Sequence, residues 1–443
     1  PDITADLSGS ALSWDTWRAD RIALRGKLPW RGDGGDLLLQ GDALQAGIAL
    51  QRVRVHARGA VANLQLDAEV DSPEAASIAL AGTLRQRGQA WEGSVATLRI
   101  DPVLGDTWTL QAPATFAING PRYQLQPACL ATGSGDRSAT LCAEADWPRA
   151  GLQVTSERLP LALVHDWLPR NEGRAILLRG DLSLDAQLRP QGNRWTGQVR
   201  VASPEGGLRL GDRTRREILR YDQFSIDATF DPQKIQGRLG VGFQGDGYVD
   251  ASFDTGWEDG SPLTGNLYMY MSQLFWLELF SPDLVRPRGV VRGHVSVTGS
   301  RGQPAMGGQL VLEEFQGELP VLGLVLSEGK GSFDAQPDGS ASITASVKSG
   351  EGTLTVDGGL SWYGDATPLQ LAIRGQNVLV SDTAMLRAVA APDLQFSIVD
   401  RTMLLRGQVD IPSARLDLER FDSGVSPSDD VVVVDPVDPE EGP

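Results

Sequence analysis

The sequence predicts an all-β chain: a long, curled, mainly antiparallel sheet with a few short helices. Three observations carry this. Apolar and polar residues alternate with period two in segment after segment, the pattern of strands with one dry and one wet face. Gly, Asp, Asn or Pro bounds nearly every such segment, and 51 Gly with 26 Pro supply the punctuation. Turn signals return at roughly 8 to 12 residues, with almost no helical periodicity between them.

In chain order, Leu64, Leu66, Ala68 and Val70 oppose Gln65, Asp67 and Glu69. The stretch YQLQPACLATGSGDRSATLCAEADW sets Cys129 and Cys142 symmetrically about Gly135 and Asp136 in a turn-rich loop. Opposed hairpin positions suit a cross-strand disulfide if the Cβ atoms come close enough. Such a bond is worth roughly 3 kcal/mol for a loop of this size and points to an oxidising compartment such as the periplasm. Two buried, unpaired thiols are the alternative.

Further on, Leu182, Leu184 and Leu188 oppose Asp181, Asp185 and Gln187. Phe224, Ile226 and Phe230 share a face, as do Ile235, Leu239, Val241 and Phe243. Ile343 and Val347 share a parity. Leu354, Val356, Leu360 and Trp362 alternate with Thr353, Thr355, Asp357 and Ser361, and the Gly358–Gly359 pair between them reads as a tight turn with a returning strand. Leu369, Leu371 and Ile373 close the series.

Three stretches break the rhythm and resemble one another: LALVHDWLPRNEGRAILLRGDLSL, SQLFWLELFSPDLVRPRGVVRGHVSV and DTAMLRAVAAPDLQFSIVDRTMLLRGQVDI. Each runs a helix-like apolar segment, a Pro, and an Arg-Gly pair leading into a strand. The glycines of these pairs, at 180, 293 and 407, are 113 and 114 residues apart, which suggests a long internal repeat. Residues 1–421 therefore read as one continuous body. Residues 422–443 read as an acidic, partly disordered tail with one strand-like segment, Val431 to Val434.

At roughly 10 to 12 residues per strand and turn, the chain makes about 35 to 40 strands. A single open sheet of that size curls or splits. Two arrangements bury the dry face: sandwiches or barrels in series, or one sheet folded lengthwise into a trough with apolar inner walls. The repeat, the even spacing and the missing linkers favour the trough.

Charge and motifs exclude several function classes. With 57 acidic against 40 basic residues, the formal charge of −17 repels phosphate backbones, and no basic stripe interleaved with aromatics offsets it, so nucleic acid is not a partner. No apolar run approaches the ~20 residues of a membrane helix, and neither an initiator Met nor a signal peptide is present, so the expectation is a piece of a longer chain. GVGFQG, residues 240–245, has dinucleotide-fingerprint spacing but continues in strand alternation instead of a helix. His56, His165 and His294 are too few and scattered for a triad or metal cluster, and VTGSRGQ lacks the spacing of a nucleophile elbow. No enzyme, metal or cofactor is expected. A carboxylate pair of the glycosidase kind stays open, although solvation of the wet faces accounts for most acids.

RGVVRGHVSVTGSRGQPAMGGQLVLEEFQGELPVLGLVLSEGKGSFDA, followed by SGEGTLTVDGGLSW, resembles the Gly-punctuated pattern of TamB, the translocation and assembly module subunit of the AsmA-like superfamily. GQVDIPSARLDLERFDSGVSPSDDVVVVD and the Cys129/Cys142 hairpin followed by Trp147 are similar to further segments of that family, in the same order, from about residue 110 to 435. The resemblance implies the middle portion of a periplasmic protein anchored in the inner membrane of a Gram-negative bacterium, with a U-folded β-taco body. It also implies that the anchor helix and the C-terminal region contacting the outer-membrane barrel TamA lie outside these residues.

The expected function is a bridge that conducts phospholipid, acyl chains in the groove, between inner and outer membranes. The expected groove residues are Leu182, Leu184, Leu188, Phe224, Ile226, Leu239, Val241 and Phe243, and then Ile343, Val347, Leu354, Val356, Leu360, Trp362, Leu369, Leu371 and Ile373; an ordinary sandwich core would read identically. Leu274, Phe275, Trp276, Leu277, Leu279 and Phe280 read as a gate or plug, or as a segment packed into the body. The alternative function is a scaffold that assembles outer-membrane or autotransporter proteins by β-augmentation together with TamA. Sandwiches in series serving adhesion form a third class.

Overall fold

A computed structural model of the chain describes residues 2–14, 17–32, 34–45, 48–135, 138–168, 173–211, 216–245, 247–279, 281, 283–361, 369–399 and 402–417. The expected acidic tail, its strand-like segment, Trp362 and Phe280 lie outside the described residues.

Among the described residues twenty-eight strands are assigned to one sheet, with antiparallel pairing from β1 to β19 and from β23 to β28. The first nine are β1 (Ile3–Trp14), β2 (Trp17–Leu28), β3 (Gly35–Gln45), β4 (Ala49–Ala60), β5 (Asn63–Asp71), β6 (Ala76–Arg87), β7 (Ala90–Pro102), β8 (Trp108–Leu110) and β9 (Ala114–Asn119). Then come β10 (Arg122–Thr132), β11 (Ala139–Trp147), β12 (Gly151–Pro160), β13 (Ile176–Gln191), β14 (Arg194–Ser203), β15 (Gly206–Leu210), β16 (Leu219–Phe230), β17 (Ile235–Phe243), β18 (Gly247–Thr255) and β19 (Leu263–Gln273). The last nine are β20 (Val285–Ser300), β21 (Gln303–Leu319), β22 (Leu324–Gln336), β23 (Ser340–Ser349), β24 (Gly352–Ser361), β25 (Leu369–Gln376), β26 (Val378–Asp382), β27 (Leu386–Val399) and β28 (Thr402–Leu416).

Contacts divide the chain into two compact units. One comprises Pro1–Phe280, Val290–Leu310 and Asp334–Gly339; the other comprises Ser281–Gly289, Val311–Phe333 and Ser340–Pro443.

The all-β, antiparallel fold is the one the alternation predicts. The strands are fewer than spacing suggested because several are long: β21 runs 17 residues, and β13 and β20 run 16 each. Register shifts between Ala81 and Gly82, Leu125 and Ala128, Ser156 and Leu159, and Tyr221 and Gln223 are bulges, which bend a strand and raise its twist. At Gly180, φ is +123° and a Cβ would sit 2.5 Å from the Glu205 carbonyl oxygen, so this repeat-marker position takes only glycine without strain.

Two expectations are corrected. Gly358 and Gly359 lie within the unbroken strand β24, not in a turn; a Cβ at Gly358 would meet the Gln370 carbonyl oxygen at 2.0 Å, so the residue serves close strand approach. The expected short helices are only 3-10 turns, at Leu161–Trp167, Phe275–Leu279 and Pro320–Leu322, and the third helix-like stretch forms β27. Ladder bonds to β25, β26 and β28 override its helical spacing.

Candidate functional site

Register converts the alternation of single strands into rows that cross many strands. From β12 to β19, direct partners align Ser156, Leu184, Val201, Ile226, Leu239, Ala251 and Leu267. Four residues away, Leu152, Leu188, Gly197, Phe230, Ile235, Thr255 and Leu263 form a second row, and two residues to the other side Phe224, Val241, Val249 and Met269 form part of a third. Leu182 faces Leu159, and Phe243 faces Tyr221. In the second unit, Ile343, Gly358, Leu371, Phe396 and Leu405 align, as do Ala345, Val356, Ile373, Leu394 and Gly407. Val347 pairs Leu354, and Leu360 pairs Leu369. Every expected groove residue that the structure describes thus belongs to an apolar row of its own unit.

The same register gathers charge on the opposite face. Thr155, Asp185, Arg200, Asp227, Arg238, Ser252 and Asn266 form the row one residue over, and Arg200 Nε lies 3.1 Å from Asp227 Oδ1. Arg374 and Asp393 make a similar pair at 3.4 Å in the second unit. Cys129 and Cys142 are direct partners across β10 and β11 and form a disulfide; Cys142 also pairs Thr155, which puts the bond on this polar face.

The strands β1 to β7 carry a row that the sequence reading did not single out: Leu7, Leu24, Leu39, Val55, Ala68, Leu80 and Leu98. Its signal was the same alternation as in β5. Beside it, Leu12, Trp17, Ala19, Ile22 and Leu44 line an apolar hollow of about 740 Å³.

The apolar rows are only partly covered. Leu184, Leu239, Val356 and Ile373 are half-buried, Ile226 is 37% exposed and Leu7 is 65% exposed. Among the described residues the large side chains with less than 2% exposure are Leu274 and Pro287, whereas sandwich cores shut away a full layer from each sheet.

The expected gate segment is pinned in place. Leu274 has 0% exposure, the Arg216 guanidinium stacks 4.8 Å from the Phe275 ring centroid and pairs with Glu278, and Trp276, Leu277 and Leu279 are half-buried. The turn at Leu161–Trp167 is tied back similarly: His165 Nε2 accepts the Leu178 amide at 2.8 Å, and the Trp167 indole donates to the Leu104 carbonyl at 2.8 Å.

The histidines are apart, with His56 on Asp36 at 2.7 Å and His294 on Asn266 at 3.1 Å. Among the described residues no group of three or more His, Cys, Asp or Glu is placed to hold a metal ion, and no helix is long and apolar enough to cross a membrane. Within each unit the arrangement is a one-sided antiparallel sheet whose apolar rows stay half-exposed among the described residues. Comparison with known families agrees: the model described as TamB, N-terminal domain, matches residues 1–312, and that described as TamB C-terminal domain matches residues 341–443. The chain belongs to the TamB family. No solved structure matches it. Family membership supports a role in the translocation and assembly module, in lipid or protein transport, and implies a periplasm-spanning position and interaction with a TamA-type outer-membrane protein.

Proposed function

We propose that the chain is part of a periplasmic bridge, anchored in the inner membrane, that conducts phospholipid along its apolar face toward the outer membrane. The observation that carries this reading is the set of apolar rows, contiguous across strands within each unit yet left half-exposed. Exposed apolar surface costs about 25 cal/mol per Å², and an acyl chain laid on it contributes about 0.8 kcal/mol per buried CH₂. Because neighbouring rows offer equivalent contacts, a chain that leaves one finds the next. Headgroups stay in water while the hydrocarbon moves. In this reading residues 1–421 form one continuous groove built on the 113-residue repeat.

Photo-crosslinking tests it. A photoreactive residue at Val356 is expected to capture phospholipid, and one at Thr355, on the opposite face, is not. Adducts at Thr355 without adducts at Val356 overturn the proposal. Native mass spectrometry of the purified chain is expected to show co-purified phospholipid.

One observation favours a second reading, a scaffold for outer-membrane strands. Among the described residues β28 pairs only β27, and Met403, Leu405 and Ile411 on it are 58% to 72% exposed, which suits strand addition along this strand. Proline at alternate β28 positions then abolishes client assembly, while charge on the apolar rows leaves it intact.

A further inference from the structure

All ten described tryptophans sit at strand ends or in the connections between strands. Five lie at each end of the first unit's strands, and of those at one end, Trp30, Trp91, Trp147, Trp195 and Trp257, the last three join other rings. Trp91 pairs Ile118, Ile118 pairs Tyr123, and Tyr123 pairs Trp147, all on the apolar face. The Trp147 and Trp195 rings then meet at 5.2 Å, and Phe230 meets Trp257 at 6.2 Å. Among the described residues neither Trp147 nor Trp195 gives its indole N–H to a protein acceptor.

The turns at that same end carry bases in succession: Arg87, Arg122, Arg149, Arg194, Lys234 and Arg301. Connections at the opposite end hold bases too, Arg174 and Arg216 among them, but acids outnumber them there: Glu74, Asp106, Glu205, Glu217, Glu278 and Asp283. Asp231, Glu258 and Asp259 share the turns of the basic end, so the contrast is one of balance, with bases in excess at one end and acids at the other, in a chain of net charge −17. Arg87, Arg149 and Arg194 lean on Glu92, Asp146 and Glu258 at 3.5, 2.6 and 3.0 Å, and all three arginines are solvent-accessible. Exposed pairs of this kind contribute about 0 to 1 kcal/mol, so a phosphate oxygen displaces or shares them at little cost.

Indole is the side chain that prefers the boundary between hydrocarbon and water, with an apolar body and one N–H for an ester or phosphate oxygen. We infer that this basic, tryptophan-lined rim is the headgroup track of the groove. The acyl chains lie on the apolar rows, the glycerol esters lie level with Trp147 and Trp195, and the phosphate runs past the turn arginines. The acid-bearing rim stays free of headgroups. The inference rests on the lipid-conducting reading and adds the orientation of the lipid to it.

The test uses the purified chain with vesicles of phosphatidylethanolamine and phosphatidylglycerol, spiked with phosphatidylglycerol carrying a diazirine either in the headgroup or at the acyl terminus. Mass-spectrometric mapping is expected to place headgroup label on peptides holding Trp147 and Trp195 at least about fivefold above the Trp14 to Trp17 peptide, with acyl label on peptides holding Leu184 and Leu239. The double variant Arg122→Glu, Arg149→Glu is expected to lower headgroup label at the rim about tenfold and leave acyl label unchanged. Acyl label on the rows with headgroup label equal at both rims, or greater at the acidic one, overturns the headgroup track and spares the lipid reading. Failure of the acyl probe to label the rows overturns both.

Discussion

Two rows in the same strands, one residue apart, behave as different materials. Leu184, Val201, Ile226 and Leu239 make a hydrocarbon path; Asp185, Arg200, Asp227 and Arg238 make a ladder of alternating charge. The backbone pairing is common to both, so the difference lies wholly in what each face exchanges with its surroundings. In the charged row Arg200 and Asp227 pair across strands, a contact worth a few tenths of a kcal/mol to about 1 kcal/mol, whereas Asp185 Oδ1 is buried without a partner among the described residues. The apolar row is half-exposed among the described residues, and in the lipid-conducting reading it gains when an acyl chain covers it. Stability and binding are therefore separable by face.

The largest effect expected from that separation is on the polar side. Replacing Cys129 and Cys142 by Ser removes a bond closing a loop of sequence separation 13 and should lower unfolding free energy by roughly 3 kcal/mol, read by denaturant melts, with lipid affinity unchanged. A comparable loss of lipid affinity in the intact fold would break the comparison. Next, Leu239→Asp on the apolar row should weaken binding of a fluorescent phospholipid about 50-fold, equivalent to withdrawing about three methylenes, while the far-ultraviolet spectrum is retained. Arg238→Asp, its neighbour on the other face, should leave binding within about twofold. Smaller still, Arg200→Ala should change stability by no more than about 1 kcal/mol, less at high salt, since its pair with Asp227 is exposed.

The smallest effect is with pH. Hydrogen bonds from Arg99 and then Thr107 hold the Asp101 carboxyl below its ordinary value. Its contribution is present above that ordinary value and is lost only as pH falls through the lowered one. Nuclear magnetic resonance titration of Asp101 should show the lowered midpoint, and Arg99→Gln should return it toward normal.

Much of this was legible in the sequence because a strand's period of two survives any error in its boundaries. Leu354, Val356 and Leu360 share a face whether or not Gly358 and Gly359 are taken for a turn. What failed was local evidence that tertiary pairing outvotes: residues 386–399 have helical spacing, yet Ala388 and Ala390, at 7% and 2% exposure, are buried in a strand with partners on both sides. The rows of β1 to β7 were written in the same alternation and were simply not singled out. The cationic rim was hidden for a different reason. Arg87, Arg122, Arg149 and Arg194 are spread along the sequence with acids between them, and they form a run only once it is known which turns share an end. Searching for a contiguous basic stripe interleaved with aromatics misses it.

Strands here bond chiefly to neighbours in sequence, as from β1 through β7 and from β16 through β19. Inserting or deleting one hairpin in such a meander changes the run of the sheet by about 10 Å, two strand spacings, and leaves every other register untouched. A single duplication or loss of about thirty codons is therefore enough to lengthen or shorten such a run while every remaining pair of strands keeps its partners.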